Sequence, residues 1–234
     1  ALGFGGNNPF FALTESWNGS SWTEVNDLNT ARRYVSGTGA SNTSALAIGG
    51  STTSPIGPGT TGITELWNGS SWTEVADLNT ARVKPAAVGI QTAALAFGGQ
   101  PSTAVTESWN GSNWTEVNDL NTARPLLAGA GTQTAALAFG GQPGKAETES
   151  WNGSNWTDVA DLNTGRESLG GAGTQTLALG YGGETPVTGA TESWNGSIWT
   201  ETTNLNTARA RMGSAGTQPA ALAFGGATPA PAPI

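Results

Sequence analysis

"TESWNGSNWTEVNDLNTAR", residues 106–124, is the stretch on which the fold turns. Its core hexad, "WNGSNW" at 109–114, recurs at 151–156. It returns as "WNGSSW" at 17–22 and 67–72 and as "WNGSIW" at 194–199. All ten tryptophans of the 234-residue chain sit in these five hexads, as the pairs Trp17/Trp22, Trp67/Trp72, Trp109/Trp114, Trp151/Trp156 and Trp194/Trp199. The first tryptophan of each pair falls 50, 42, 42 and 43 residues after the last, so the chain is an array of one unit.

Working outward from the hexad, each piece reads as strand or turn. Asn110-Gly111 between two strand-like runs signals a two-residue hairpin, because a type I′ turn needs positive φ at both central positions. That turn predicts Trp109 opposite Ser112 and Glu107 opposite Trp114. Strand alternation then puts Glu107, Trp109 and Trp114 on one face. Upstream, "ALAFGG" (94–99) is a short apolar run closed by a glycine pair; downstream, "AGAGTQT" is small and extended. No segment keeps a 3.6-residue apolar period, so helix is not expected. Four short strands every ~42 residues describe a propeller blade.

At this level the unit resembles the kelch repeat. Gly98-Gly99 matches the glycine pair that closes the second strand, Trp109 the aromatic of the third, Trp114 the tryptophan of the fourth, and Arg124 the arginine before the next first strand. Trp109 stands where that motif usually carries tyrosine. The resemblance covers residues 1–226 and implies an all-β propeller; residues 227–234, "ATPAPAPI", form a Pro/Ala-rich tail. Five hexads predict five blades, the last closed by C-terminal strands joining the N-terminal hairpin. Six glycine-pair strands (1–6, 45–50, 94–99, 136–141, 178–183 and 221–226) leave one surplus, either displaced or donated to a neighbouring molecule. Six blades with incomplete end blades is the alternative.

Composition narrows the function. The net charge is −8, which disfavours a phosphate backbone as partner, so nucleic acid is not expected. With no His and no Cys, the commonest general base, metal ligand and thiol nucleophile are missing. The Tyr, His and Cys set of kelch-type copper oxidases is absent, no calcium-loop spacing occurs, and neither cofactor nor metal is expected. No apolar run of 18 residues offers a membrane span. Paired carboxylates near a propeller axis would suit glycoside hydrolysis, but the first strands offer only Glu167. The chain reads as non-catalytic. Its start at Ala1 rather than Met suggests a processed or excised segment.

The repeated residues read as structural. Each unit carries one Glu (15, 65, 107, 149, 192) and one Arg (Arg32, Arg82, Arg124, Arg166, Arg209), a pattern that predicts an ion pair joining blade to blade. The Trp pair reads as packing between blades, and Asn-Gly-Ser as turn chemistry before glycosylation. Function should lie where the copies disagree. One such place is the loop after each glycine pair, with Phe10 and Phe11 the sharpest departure. The other is the start of each first strand, with Arg33, Tyr34, Lys84, Glu167 and Arg211. These residues are the binding candidates. Trp-Asn-Gly-Ser kelch-like arrays occur in virus and phage tail and fibre proteins, so the resemblance implies a structural component of a virion or an extracellular particle, with protein partners. The alternative is a multivalent carbohydrate-binding lectin, using one weak site per blade.

Overall fold

The computed structural model describes residues 1–6, 11–54 and 57–229. Among these residues every regular element is a strand. Blade 1 contains β1 (Leu2–Phe4), β2 (Thr14–Trp17) and β3 (Trp22–Val25). Blade 2 contains β4 (Ser36–Ser41), β5 (Ser44–Ile48), β6 (Thr64–Trp67) and β7 (Trp72–Val75). Blade 3 contains β8 (Ala86–Ile90), β9 (Ala93–Phe97), β10 (Thr106–Trp109) and β11 (Trp114–Val117). Blade 4 contains β12 (Ala128–Gly131), β13 (Ala136–Phe139), β14 (Thr148–Trp151) and β15 (Trp156–Val159). Blade 5 contains β16 (Gly170–Gly173), β17 (Ala178–Tyr181), β18 (Thr191–Trp194) and β19 (Trp199–Thr202). The pair β20 (Gly213–Thr217) and β21 (Ala220–Phe224) follows.

The fold is thus an all-β propeller with five blades, one per hexad, as the sequence predicts. Blades 2 to 5 are four-stranded antiparallel meanders, blade 1 has three strands, and β20–β21 is a two-stranded sheet. All six glycine-pair strands form. The expected closing blade is not one hydrogen-bonded sheet, because β1 takes the edge of β2 while β21 pairs with β20. By internal contacts the chain divides into two compact units, Ala1–Pro125 with Thr132–Thr134, and Leu126–Gly131 with Ala135–Ile234.

The hairpin register differs from the expectation. Trp109 lies opposite Trp114, and Glu107 opposite Glu116. The reason is the asparagine side chain. Oδ1 of Asn110 accepts the backbone N–H of Ser112 and of Asn113, both at 2.9 Å, while its own N–H reaches the Asn113 carbonyl at 3.3 Å. These bonds stabilise a four-residue loop over the two-residue turn, with Gly111 at φ 94. The shift moves the pairing by one residue on each strand, so parity survives and Glu107 still shares a face with both indoles.

Packing between blades follows from the second strand. In "ALAF" the residues alternate small and large, so one face is shallow and the other protrudes. In the first unit, Leu46 and Ile48 of β5 protrude onto Ala94 and Ala96 of β9 and onto Trp109 and Trp114. Leu2 and Phe4 of β1 meet Ala45, Ala47, Trp67 and Trp72 in the same way. In the second unit, Leu137 and Phe139 meet Ala178, Trp194 and Trp199, with the Phe139 and Trp199 rings 4.9 Å apart. At these three joints one blade lends its large residues to the hollow of the next. First strands are glycine-rich because the approach is close: a Cβ on Gly171 would lie 2.7 Å from the Gly129 carbonyl and 2.9 Å from the Phe139 ring.

Candidate functional site

Two constellations account for nearly all the side chains singled out by the sequence, and they have different jobs. The first is the joint between successive blades. Arg32 lies 3.0 Å from Glu65, Arg82 3.3 Å from Glu107 and Arg166 2.9 Å from Glu192, with all six side chains at most 2% exposed. The expected Glu–Arg stitch is therefore present in these three joints. Arg124 and Glu149 are also buried. Arg209 and Glu15 depart from the pattern: among the described residues neither forms an ion pair.

The joint has members that the sequence reading missed. In "DLNTAR" the asparagine does more than turn the chain. Asn79 gives both its backbone N–H (2.7 Å) and its side-chain amide (2.9 Å) to Oε2 of Glu107, and Thr80 N–H reaches Oε1 at 3.2 Å. Asn29 does the same for Glu65, and Asn163 for Glu192. The asparagine stands in all five copies, and that constancy was the available signal. The aspartate two residues earlier caps the third strand of its own blade, Asp119 accepting Thr106 N–H at 3.0 Å. Across the joint the second indole donates to the preceding blade: Trp114 Nε1 to Thr64 Oγ1 at 3.1 Å, Trp72 to Thr14 at 3.0 Å, Trp199 to Thr148 at 3.1 Å. The first indole donates within its blade, Trp109 to the Gln91 carbonyl at 2.9 Å. Burial pulls the guanidinium pKa of Arg32, Arg82 and Arg166 down, and the carboxylates of Glu65, Glu107 and Glu192 push it back up.

The hexads hold paired indoles at 5.3–5.5 Å with planes tilted by 41–45°. Eight of the ten tryptophans are buried; Trp17 and Trp22 are half-buried. No ligand platform is left on the hexads of blades 2 to 5.

The second constellation gathers the variable residues of each unit into a rim of that unit. Two positions after the joint arginine the chain takes a left-handed turn in every copy: Tyr34 (φ 58), Lys84 (49), Leu126 (61), Ser168 (55) and Arg211 (60). None is glycine, so each position costs about 1–2 kcal/mol. In three of these copies the turn aims the N–H at the carbonyl of the same residue one blade earlier. Lys84 donates to Tyr34 at 3.0 Å, Ser168 to Leu126 at 2.8 Å and Arg211 to Ser168 at 2.9 Å.

Bridges tie this start of the first strand to the loop after the glycine pair: Arg33 with Ser51, Val83 with Gln100, Glu167 with Glu184, Ala210 with Ala227. The two variable regions of the sequence are one surface within each unit. Arg33 donates to the Thr53 carbonyl at 2.9 Å, and Glu167 accepts Gly144 N–H at 3.2 Å. Arg211 bonds Glu184 at 3.0 Å. In the first unit the Arg33 guanidinium carbon lies 5.1 Å and Lys84 Nζ 4.4 Å from the centre of the Tyr34 ring, two cations on one aromatic in an acidic chain. Phe11 is half-buried over Gly6, as a residue tucked under its loop would be. Phe10 lies outside the described residues.

Ser168 tests the strain at the rim. Its hydroxyl is buried and has no hydrogen-bond partner among the described residues. Replacing Ser168 by Gly removes both the left-handed penalty and the unmet hydroxyl, against an added chain-entropy cost of about 0.5–1 kcal/mol. The expected net result is stabilisation by about 1 kcal/mol, read as a thermal midpoint raised by about 2–4 °C. An unchanged or lowered midpoint would show that the turn is not strained.

Among the described residues no helix is long and apolar enough to cross a membrane. No known family model matches the chain, and no curated protein matches it either.

Proposed function

We propose that this chain is a non-catalytic interaction scaffold, a propeller of kelch-like units displayed on a larger assembly such as a virion or a tail fibre. The observation that supports the reading is the division of labour along each repeat. Residues that recur are consumed in the joints, while residues that vary are collected on the rim. A scaffold that must stay rigid while presenting unlike side chains needs that separation. Glu167, the one carboxylate at the first strands, is engaged with the backbone of Gly144 in the adjacent loop, which suits positioning of that loop better than acid–base chemistry.

Partners are expected at the rim of the first unit, where Arg33, Tyr34 and Lys84 combine positive charge with an aromatic face. Adjacent cation and ring suit an acidic protein surface. A glycan is the second reading, and it now falls on Tyr34 instead of the hexads, whose indoles are largely enclosed. Antibody raised against the chain is expected to decorate tails or fibres of purified particles in negative stain; label confined to the particle-free fraction would overturn the assembly reading. Glycan-array binding abolished by Tyr34→Ala would replace it with the lectin.

A further inference from the structure

The hexad loop holds its own asparagine in the same way in all five copies. Asn18, Asn68, Asn110, Asn152 and Asn195 are exposed, and each is followed by a glycine at φ 93–108. In every copy the side-chain Oδ1 accepts two backbone N–H groups, from the residues two and three further on. All ten of these bonds measure 2.9–3.0 Å. The glycine N–H between them meets no acceptor among the described residues. Two loops add a third donor to the same oxygen: the Ser70 hydroxyl at 2.9 Å from Asn68 and the Ser20 hydroxyl at 3.0 Å from Asn18.

These are the parts of a reaction. The bond from Oδ1 to the N–H two residues on closes a ring that contains both the asparagine Cγ and the glycine nitrogen. That ring limits how far the two can part, which favours a near-attack geometry. Glycine brings no Cβ to obstruct the approach. The two backbone amides sit on the oxygen that becomes negative when the nitrogen adds to Cγ, which is the place of an oxyanion hole. We infer that the five hexad loops are sites of self-modification, each converting its asparagine to aspartate or isoaspartate without an enzyme. The glycine nitrogen bonds to Cγ and gives its proton to water, and the carbonyl oxygen becomes the oxyanion held by the amides. The Cγ–Nδ2 bond then breaks, the leaving nitrogen takes up a proton and departs as ammonia, and a five-membered imide remains. Water opens the imide. Attack at Cγ restores the normal backbone as aspartate, and attack at the main-chain carbonyl carbon leaves isoaspartate. The net exchange is asparagine and water for a carboxylate and ammonia, with no change of oxidation state.

The two products differ in what they do to the blade. An aspartate accepts the same two N–H groups more strongly than the amide, so it keeps the loop and the register that sets Trp67 opposite Trp72. Isoaspartate adds one backbone carbon between the paired tryptophans and breaks that register. Each conversion also adds a negative charge to a chain already at −8, so the loops grow more acidic with age. This chemistry is independent of what the rim binds.

The test compares the folded chain with the same chain unfolded in concentrated guanidinium chloride, both held at neutral pH. Peptide mass spectrometry reads conversion at each asparagine, and hydroxylamine, which cleaves the imide, reads the intermediate as a chain break. Conversion is expected to be faster in the folded chain at all five sites. Within it Asn68 is expected to lead Asn110 by about two- to tenfold, the factor that one further hydrogen bond supplies. Ser70→Ala, checked for folding by circular dichroism, is expected to slow Asn68 to the rate of Asn110 and leave the other four sites unchanged. Conversion no faster in the folded chain would overturn the inference, because the loop would then shield its amide. A Ser70→Ala variant converting Asn68 at the wild-type rate would overturn it as well.

Discussion

Arg82→Ala is expected to cost about 3–5 kcal/mol, enough to remove a large share of the roughly 5–15 kcal/mol that holds a typical domain together. The guanidinium is fully buried. It sits 3.3 Å from Glu107 and donates to the Val105 carbonyl at 3.0 Å and the Ala96 carbonyl at 3.2 Å. Truncation leaves a buried carboxylate without its counter-charge. The amides of Asn79 and Thr80 still bond Glu107, so the anion keeps partial compensation and the lower half of the range is favoured. Arg82→Met separates charge from bulk: it fills most of the space and should cost nearly as much, because the unmet carboxylate dominates. The double variant Arg82→Met/Glu107→Leu should recover a substantial part, since an apolar pair no longer strands a charge. Guanidinium denaturation followed by circular dichroism gives all three values. A single variant within 0.5 kcal/mol of wild type would show that the joint does not depend on the pair.

Trp109→Ala is expected to cost a similar amount, about 3–5 kcal/mol, by a different route. The indole is 0% exposed, lies 5.3 Å from Trp114 and fills the hollow above Ala94 and Ala96 against Leu46 and Ile48. Removal opens a cavity between two blades and leaves the Gln91 carbonyl without its indole donor. Trp109→Phe keeps part of the ring and loses the hydrogen bond, so about half the cost should remain. Trp17→Ala provides the internal control, because Trp17 is only half-buried. Equal losses at positions 17 and 109 would show that burial between blades is not the cause.

Much of this architecture was legible because repetition reveals what one copy conceals. Five Trp-Asn-Gly-Ser hexads gave strands, turns and blade number, and one Glu and one Arg per unit gave the joint. The hairpin register differs from that expectation, because Asn-Gly by itself signals a two-residue turn. Sequence spacing does not say that Asn110 Oδ1 accepts two backbone N–H groups and holds a four-residue loop open. The asparagine of "DLNTAR" is hidden for a similar reason: a polar residue in a turn looks local, and the partner of Asn79, Glu107, is 28 residues away.

What the sequence determined by itself is the unit and its number. Strand alternation, small-and-large patterning in "ALAF" and paired aromatics are short-range constraints, and a chain that repeats them must repeat the blade. Only the tertiary structure decided what each polar residue is for. It turned Asn79, Glu107 and Arg82 into one buried joint. It brought Arg33, Tyr34 and Lys84 onto one rim across 50 residues of chain. It also left Glu15 exposed where its equivalents are buried. The physical reason is that burial and hydrogen bonding belong to neighbours in space. Those neighbours come from the adjacent blade, which spacing along one strand does not name.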